Sequence, residues 1–307
     1  MKKINIIILI AMLWSLGLQA QQSSSLKGVV VTGYDRSKME DRTFKYKPTG
    51  NTKDLFMSIE NIAAKLTIIG SDKSDIELQV KDLLGLPKKA EGLKAISKYG
   101  EDNTKMEINL SQSGNEIKLV GTSVKRTKLA EYTIVVPKHI TLTIVNIDWG
   151  DKDVKVKKIK GGVEVIVGSS NVKLEEVTGP LSISSNSGNI EVVYDDISSE
   201  AVTVFSTSSG DIDLTLPSSS NIDFKITQAN GEVFTDLDVA FTIVKSYEEK
   251  QKDVKLSNSP PKPTYPNQLS SARSLINSPA SYKAQLNDGG TRIDIVTIAG
   301  DVYLRKK

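Results

Sequence analysis

Two pairs of adjacent carboxylates, Glu175 with Glu176 and Asp195 with Asp196, are by residue type the best equipped for chemistry in this chain. A glycoside hydrolase uses two carboxyl groups that face each other across a scissile bond, one as acid and one as base or nucleophile. Neighbours on a strand point to opposite faces, however, and neighbours in a turn stand in water, so neither pair is placed to share a substrate. His139 is the single histidine and follows Pro137 and Lys138 where a turn should leave it exposed. The chain contains no cysteine, which removes thiolate metal sites, Cys-His nucleophiles and disulfides. No serine occupies a Gly-x-Ser-x-Gly elbow. Oxygen ligands for calcium exist at Asp195, Asp196, Asp211 and Asp213, but Ca²⁺ takes about six to eight converging oxygens, and the dense glycine pattern of calcium-binding nonapeptide repeats is missing. No catalytic residue, metal site or cofactor is expected, and the chain reads as a non-enzyme.

Three residues are candidates for surface binding: Trp149, Lys155 and Lys173. Exposed tryptophan stacks on sugars or fills a partner's pocket, although in the segment DWGD the commoner use of Trp149 is a hydrophobic plug at a corner. The two lysines belong to a column that also holds Glu191 and Asp213, set by the repeat that carries them.

That repeat runs from Asp153 to Gly210 as DVKVKKIKGGVEVIVGSS, NVKLEEVTGPLSISSNSG and NIEVVYDDISSEAVTVFSTSSG. Its opening residues, Asp153, Asn171, Asn189 and Asp211, are 18, 18 and 22 residues apart. A period of about 20 with strand-like alternation inside each unit marks a stacked solenoid. The fold class expected is all-β, a parallel β-helix or β-solenoid with short strands and coils of about 20 residues. Alternation turns Val172, Leu174, Val177, Leu181 and Ile183 inward, and Ile190, Val192, Ile197, Val202 and Val204 in the next coil, with Lys173 and Ser182 outward. Coils about 4.8 Å apart then bring Lys155, Lys173, Glu191 and Asp213 into one outward column, whose mixed signs suit pairing between coils better than a track for a polyanion. Asp153, Asn171, Asn189 and Asp211 form a second column at the corners, where Asn and Asp suit tight turns and hydrogen-bond along a stack.

Less regular strands precede the repeat at LFMSIENI, KLTIIGS, DIELQV, KMEINLS, NEIKLVGT, YTIVVP and ITLTIVNI, interrupted between Lys81 and Asn103 by a loop with one helical turn. After Phe241 the rhythm breaks again, and Pro260, Pro261, Pro263 and Pro266 exclude a central strand there. At the other end, Lys2 and Lys3 precede the apolar run INIIILIAMLWSLGL, and Ala20 offers the small residue a signal peptidase needs. The organisation expected is a signal peptide over 1–20 and one solenoid domain over 21–307. Within that domain 21–150 is less regular, 151–245 holds regular coils, about 246–289 is a Pro-rich insertion, and 290–307 supplies closing strands. Loss of Lys2 and Lys3 lowers the formal charge from +3 to nearly zero, against the basic excess that nucleic-acid binding needs.

The segments YTIVVPKHITLTI leading into WGDKDVKV, then SNSGNIEV, SSGDIDLTLP and the terminal GDVYLRK, resemble a bacterial adhesin-like family of unknown function that folds as β-solenoids, related to the auto-transporter adhesin head domain. The resemblance runs from roughly Leu26 to Leu304 and is weakest in the Pro-rich insertion. It implies the fold and an adhesin-type role, and it transfers no functional residue. The function expected is an exported, non-catalytic module for binding, adhesion or structure at the bacterial envelope, in the periplasm or at the cell surface. Its partner would be an envelope or extracellular protein or glycan, with no nucleic acid and no membrane span after signal cleavage. The alternatives are polysaccharide binding or processing, since polysaccharide lyases use parallel β-helices, and a scaffold in an envelope stress-response system.

Overall fold

Two short strands and a tight corner make each coil. In the coil that runs through Leu181–Ser185 and Ile190–Tyr194, inward aliphatics alternate with outward polar residues. Alternation of this kind leaves one face of each strand apolar, and stacking coils is what buries it. The inward positions Val172, Leu174, Ile190, Val192, Ile212, Leu214, Val302 and Leu304 are all at most 1% exposed, each contributing about 1.5–3 kcal/mol of burial. The computed structural model describes residues 39–90, 92–93, 95–146, 152–197, 201–244 and 280–307, all in one compact unit. The signal segment, Trp149 and the prolines of the insertion lie outside these residues.

The corner is built from a repeated five-residue device. In Ser185 to Asn189, Thr207 to Asp211 and Thr297 to Asp301, an inward hydroxyl accepts the glycine N–H three residues on, at 2.9, 3.0 and 3.0 Å. The glycines are required by close approach. A Cβ on Gly188 would lie 1.9 Å from the Ser170 carbonyl oxygen, and one on Gly210 would lie 2.1 Å from that of Gly188. The Asn or Asp that follows binds the coils together. The Oδ1 of Asn171, Asn189 and Asp211 each accepts the backbone N–H of its counterpart one coil along, all at 2.9 Å. The expected side-chain column is therefore present, but mostly as a side-chain-to-backbone ladder. Bonding between the side chains is shown once, where Asn171 Nδ2 donates to Asp153 Oδ1 at 3.2 Å.

Among the described residues the strands form a ten-stranded front sheet and an eleven-stranded back sheet, parallel through the middle and antiparallel at both ends of the back sheet and at one end of the front sheet. Chain order and stacking order differ at both ends. The strands Thr291–Thr297 and Val302–Lys306, last in the chain, lie between the coil of Thr203–Thr207 and Ile212–Leu216 and the coil of Ile222–Gln228 and Val233–Thr235. Likewise Phe56–Glu60 and Lys65–Ser71 lie between the strands of 116–137 and those of 141–157. Both of these coils are paired on two sides, which protects them from fraying.

All seven segments read as strands before the repeat contain strands, the fourth only from Ile108. The loop expected from Lys81 begins only after Leu84, because buried Leu83 and pairing with Met39–Tyr46 extend the strand Ile76–Leu84, and among its described residues it holds a 3-10 turn at Lys88–Ala90. Two further expectations need correction, and one strand is unforeseen. Val202 is 48% exposed and Val204 faces outward, while Thr203, Phe205 and Thr207 are buried. The Thr207 hydroxyl must face inward to reach the Gly210 N–H, and alternation then expels the valines. The chain returns to strand at Ala280–Leu286, inside the stretch assigned to the insertion, because Ala284 and Leu286 supply an inward face once Pro279 is passed. Met39–Tyr46, with no clear apolar alternation, becomes a strand by pairing antiparallel with Ile76–Leu84.

One buried polar cluster was not foreseen. Glu107 is 4% exposed and pairs with Arg126, whose Nε donates to the Leu84 carbonyl at 2.8 Å. The Thr122 hydroxyl also donates to Glu107, at 3.2 Å. These contacts tie the short helix Val124–Thr127, capped by Ser123, to the preceding loop. Burial pushes the Glu107 carboxyl above its usual range, against the attraction of Arg126.

Candidate binding face

Side chains at the third position of the motif line up along the outside of the front sheet. Register places Lys155, Lys173, Glu191 and Asp213 side by side as expected, and continues the row to Tyr303 and Phe234. A parallel row two residues on holds Lys157, Glu175, Val193, Thr215 and Arg305.

The middle of this face is neutralised internally. Lys173 Nζ lies 2.6 Å from Glu191 and 3.3 Å from Glu175, whose other oxygen is 2.5 Å from Lys157. The Glu191 hydrogen bond holds the Lys173 ammonium above its usual range, and Lys157 holds the Glu175 carboxyl below its own. Lys173 is therefore committed to its neighbours, and Lys155 adds its field to the same network. The carboxylate pairs do not converge. Glu176 takes a left-handed φ of 56° at a bulge, which turns it out beside Lys158 at 3.9 Å. Asp195 pairs with Lys307 at 3.3 Å, while Asp196 accepts the Ile197 N–H at 2.8 Å. His139 is exposed in the turn between Glu131–Pro137 and Thr141–Asn146.

The far end of the row differs in kind. Phe234 and Tyr303 stack with ring centroids 5.2 Å apart and planes 13° from parallel, and Phe234 remains 43% exposed. The Arg305 guanidinium stands 5.3 Å from the Tyr303 ring centroid, held by Asp213 through Nε at 2.8 and 2.9 Å. Two aromatic rings and an oriented cation on rigid strands make an amphipathic surface suited to sugar rings or to an apolar side chain of a partner. Carrying the same column on to the later units would have found it, because Tyr303 in DVYL and Phe234 in EVFT fill the slot that holds Lys173 in NVKL. Among the described residues, no helix is long and apolar enough to cross a membrane.

These features define a two-sheet β-solenoid. Residues 138–265, less than half of the chain, match the family model described as Toastrack DUF4097. Two crystal structures are similar at low identity. A "putative cell adhesion protein" from Clostridium sporogenes is 16% identical with a TM-score of 0.40, covering 88% of this chain and all of the other. A "putative adhesin" from Bacteroides fragilis is 12% identical with a TM-score of 0.27, covering 87% of this chain and 97% of the other. No curated protein matches the chain.

Proposed function

We propose that this chain is an exported, non-catalytic binding module of the bacterial envelope. It engages an envelope or extracellular protein or glycan through the Phe234–Tyr303 end of its front sheet. The observation that carries this reading is the aromatic stack of exposed Phe234 on half-buried Tyr303, set on the strand row beside Arg305. A rigid aromatic surface gives contact area at little entropic cost, and such anchors dominate recognition energetics. Placement at the envelope rests on the signal sequence, and intact mass of the exported chain should show a start near Gln21. The binding test is a screen of the purified full chain on envelope and host glycans and on envelope protein fractions. Phe234→Ala and Tyr303→Ala should each weaken binding about tenfold or more, whereas Glu175→Gln and Asp195→Asn leave it intact. Shortened or unsaturated glycan products, abolished by a carboxylate substitution, would replace this reading with a hydrolase or lyase.

A further inference from the structure

On the outer face of the back sheet two opposed lysines lack the carboxylates that offset their counterparts on the front sheet. Lys225 and Lys283 stand directly opposite each other in the antiparallel pair formed by Ile222–Gln228 and Ala280–Leu286. Both are exposed, and among the described residues neither has a carboxylate within ion-pair reach. Asp294, beside Lys225 in register, is occupied by Arg292, whose Nε and Nη2 donate to its two oxygens at 2.8 and 2.7 Å. Like charges directly opposite in a sheet repel, and in the one comparable front-sheet pair described, Lys155 beside Lys173, Lys173 is offset by Glu191 and Glu175. An anion lying across both would relieve the repulsion between Lys225 and Lys283.

The two lysines line an open groove of about 1040 Å³, together with Arg292, Asp223, Thr242 and Val244. Asp223 is turned to the backbone and accepts the Gly290 N–H at 3.1 Å. Thr242, in register with Lys283, offers a hydroxyl, and Val244, 37% exposed, an apolar wall. The 35 residues between Val244 and Ala280 hold six basic and three acidic side chains, so by charge they are no counterpart to the lysines.

We propose that this groove binds an acidic polysaccharide, with its carboxylates bridging Lys225 and Lys283. Side-chain cations with a hydroxyl and an apolar wall on an open face suit a chain of uronate sugars. An acidic peptide would instead add through its main chain to Thr242–Val244, the edge strand among the described residues, one strand beyond Lys283 and two beyond Lys225. Duplex DNA needs an extended basic surface, which a chain of formal charge +3 does not offer.

Binding of the purified full chain to polygalacturonate, poly-glutamate, duplex DNA and neutral dextran tests the proposal, read by affinity electrophoresis or calorimetry across a salt series. Expected are preferential, salt-sensitive binding of polygalacturonate, at least a tenfold loss in Lys225→Glu and in Lys283→Glu, and no loss in Lys125→Glu on the short helix. Unchanged melting temperatures would confirm that both variants fold, and Lys225→Gln, which removes the repulsion, should melt no lower than the parent. The proposal is overturned if polygalacturonate does not bind, if either charge reversal leaves its binding intact, or if poly-glutamate or DNA binds as tightly. Because these variants lie on the other sheet from Phe234 and Tyr303, their failure leaves the aromatic face to be judged by its own substitutions.

Discussion

Gly161 and Gly162 are neighbours in sequence and should respond to alanine in opposite ways. Neither has the left-handed backbone that would by itself demand glycine, so the difference is one of space. A Cβ on Gly161 would stand 2.1 Å from the Ile140 carbonyl oxygen and 2.7 Å from that of His139, whereas one on Gly162 would meet nothing nearer than the Pro180 Cγ at 3.6 Å. The obstruction at Gly161 is backbone of the adjacent coil and cannot rotate away, so the coils must separate by roughly an ångström against a spacing of about 4.8 Å. Overpacking of this kind costs about 1–3 kcal/mol, and immovable backbone puts Gly161→Ala at about 3. Gly162→Ala meets only ordinary contacts and reduces unfolded-state freedom, a gain of about 0.4–1 kcal/mol. At about 2–4 °C per kcal/mol for a domain of this size, thermal melts should show the first variant lowered by roughly 6–12 °C and the second raised by about 1–4 °C. Shifts of the same sign and size in the two variants would refute the close-stacking argument.

Ile190→Asp should destabilise by more than the ~2–5 kcal/mol of a cavity-forming alanine, because Ile190 is fully buried and the carboxylate would have no partner. Glu191→Lys should lose the exposed pair with Lys173, about 0.2–1 kcal/mol, and add a like-charge opposition of similar size, still well below the core substitution; chemical denaturation separates the two. The Glu107 carboxyl is raised above its ordinary 4.5 by burial, so the folded chain holds that proton more tightly than the unfolded one. Its contribution is fully present below about pH 4.5 and is lost as pH rises through the folded value. Glu107→Gln, neutral throughout and able to keep the Thr122 and Arg126 contacts, should therefore gain stability relative to the parent between pH 4 and pH 7 in pH-dependent melts. A constant difference across that range would refute the burial argument.

The regular coils were legible in the sequence because their determinants are local. Strand alternation at Val172, Leu174, Ile190 and Val192 and the Asn or Asp at each corner repeat at a fixed step, and stacking identical units needs no information beyond the next unit. The pairing of Lys173 with Glu191 followed from the same register. The facing of Val202 and Val204 did not, since apolar residues fit either side of a strand until the Thr207 hydroxyl fixes which side is in. Met39–Tyr46 and Ala280–Leu286 became strands only because a partner strand stood ready for them. The insertion of Thr291–Lys306 between coils that precede it in the chain, and of Phe56–Ser71 between coils that follow it, leaves no local mark at all. Equivalent motifs can be stacked in any order, so only the competition among edges in the folded molecule chooses one. For the same reason the aromatic stack of Phe234 on Tyr303 and the opposition of Lys225 to Lys283 belong to the tertiary structure. Each joins strands more than fifty residues apart, and their meeting is decided by which coil closes against which.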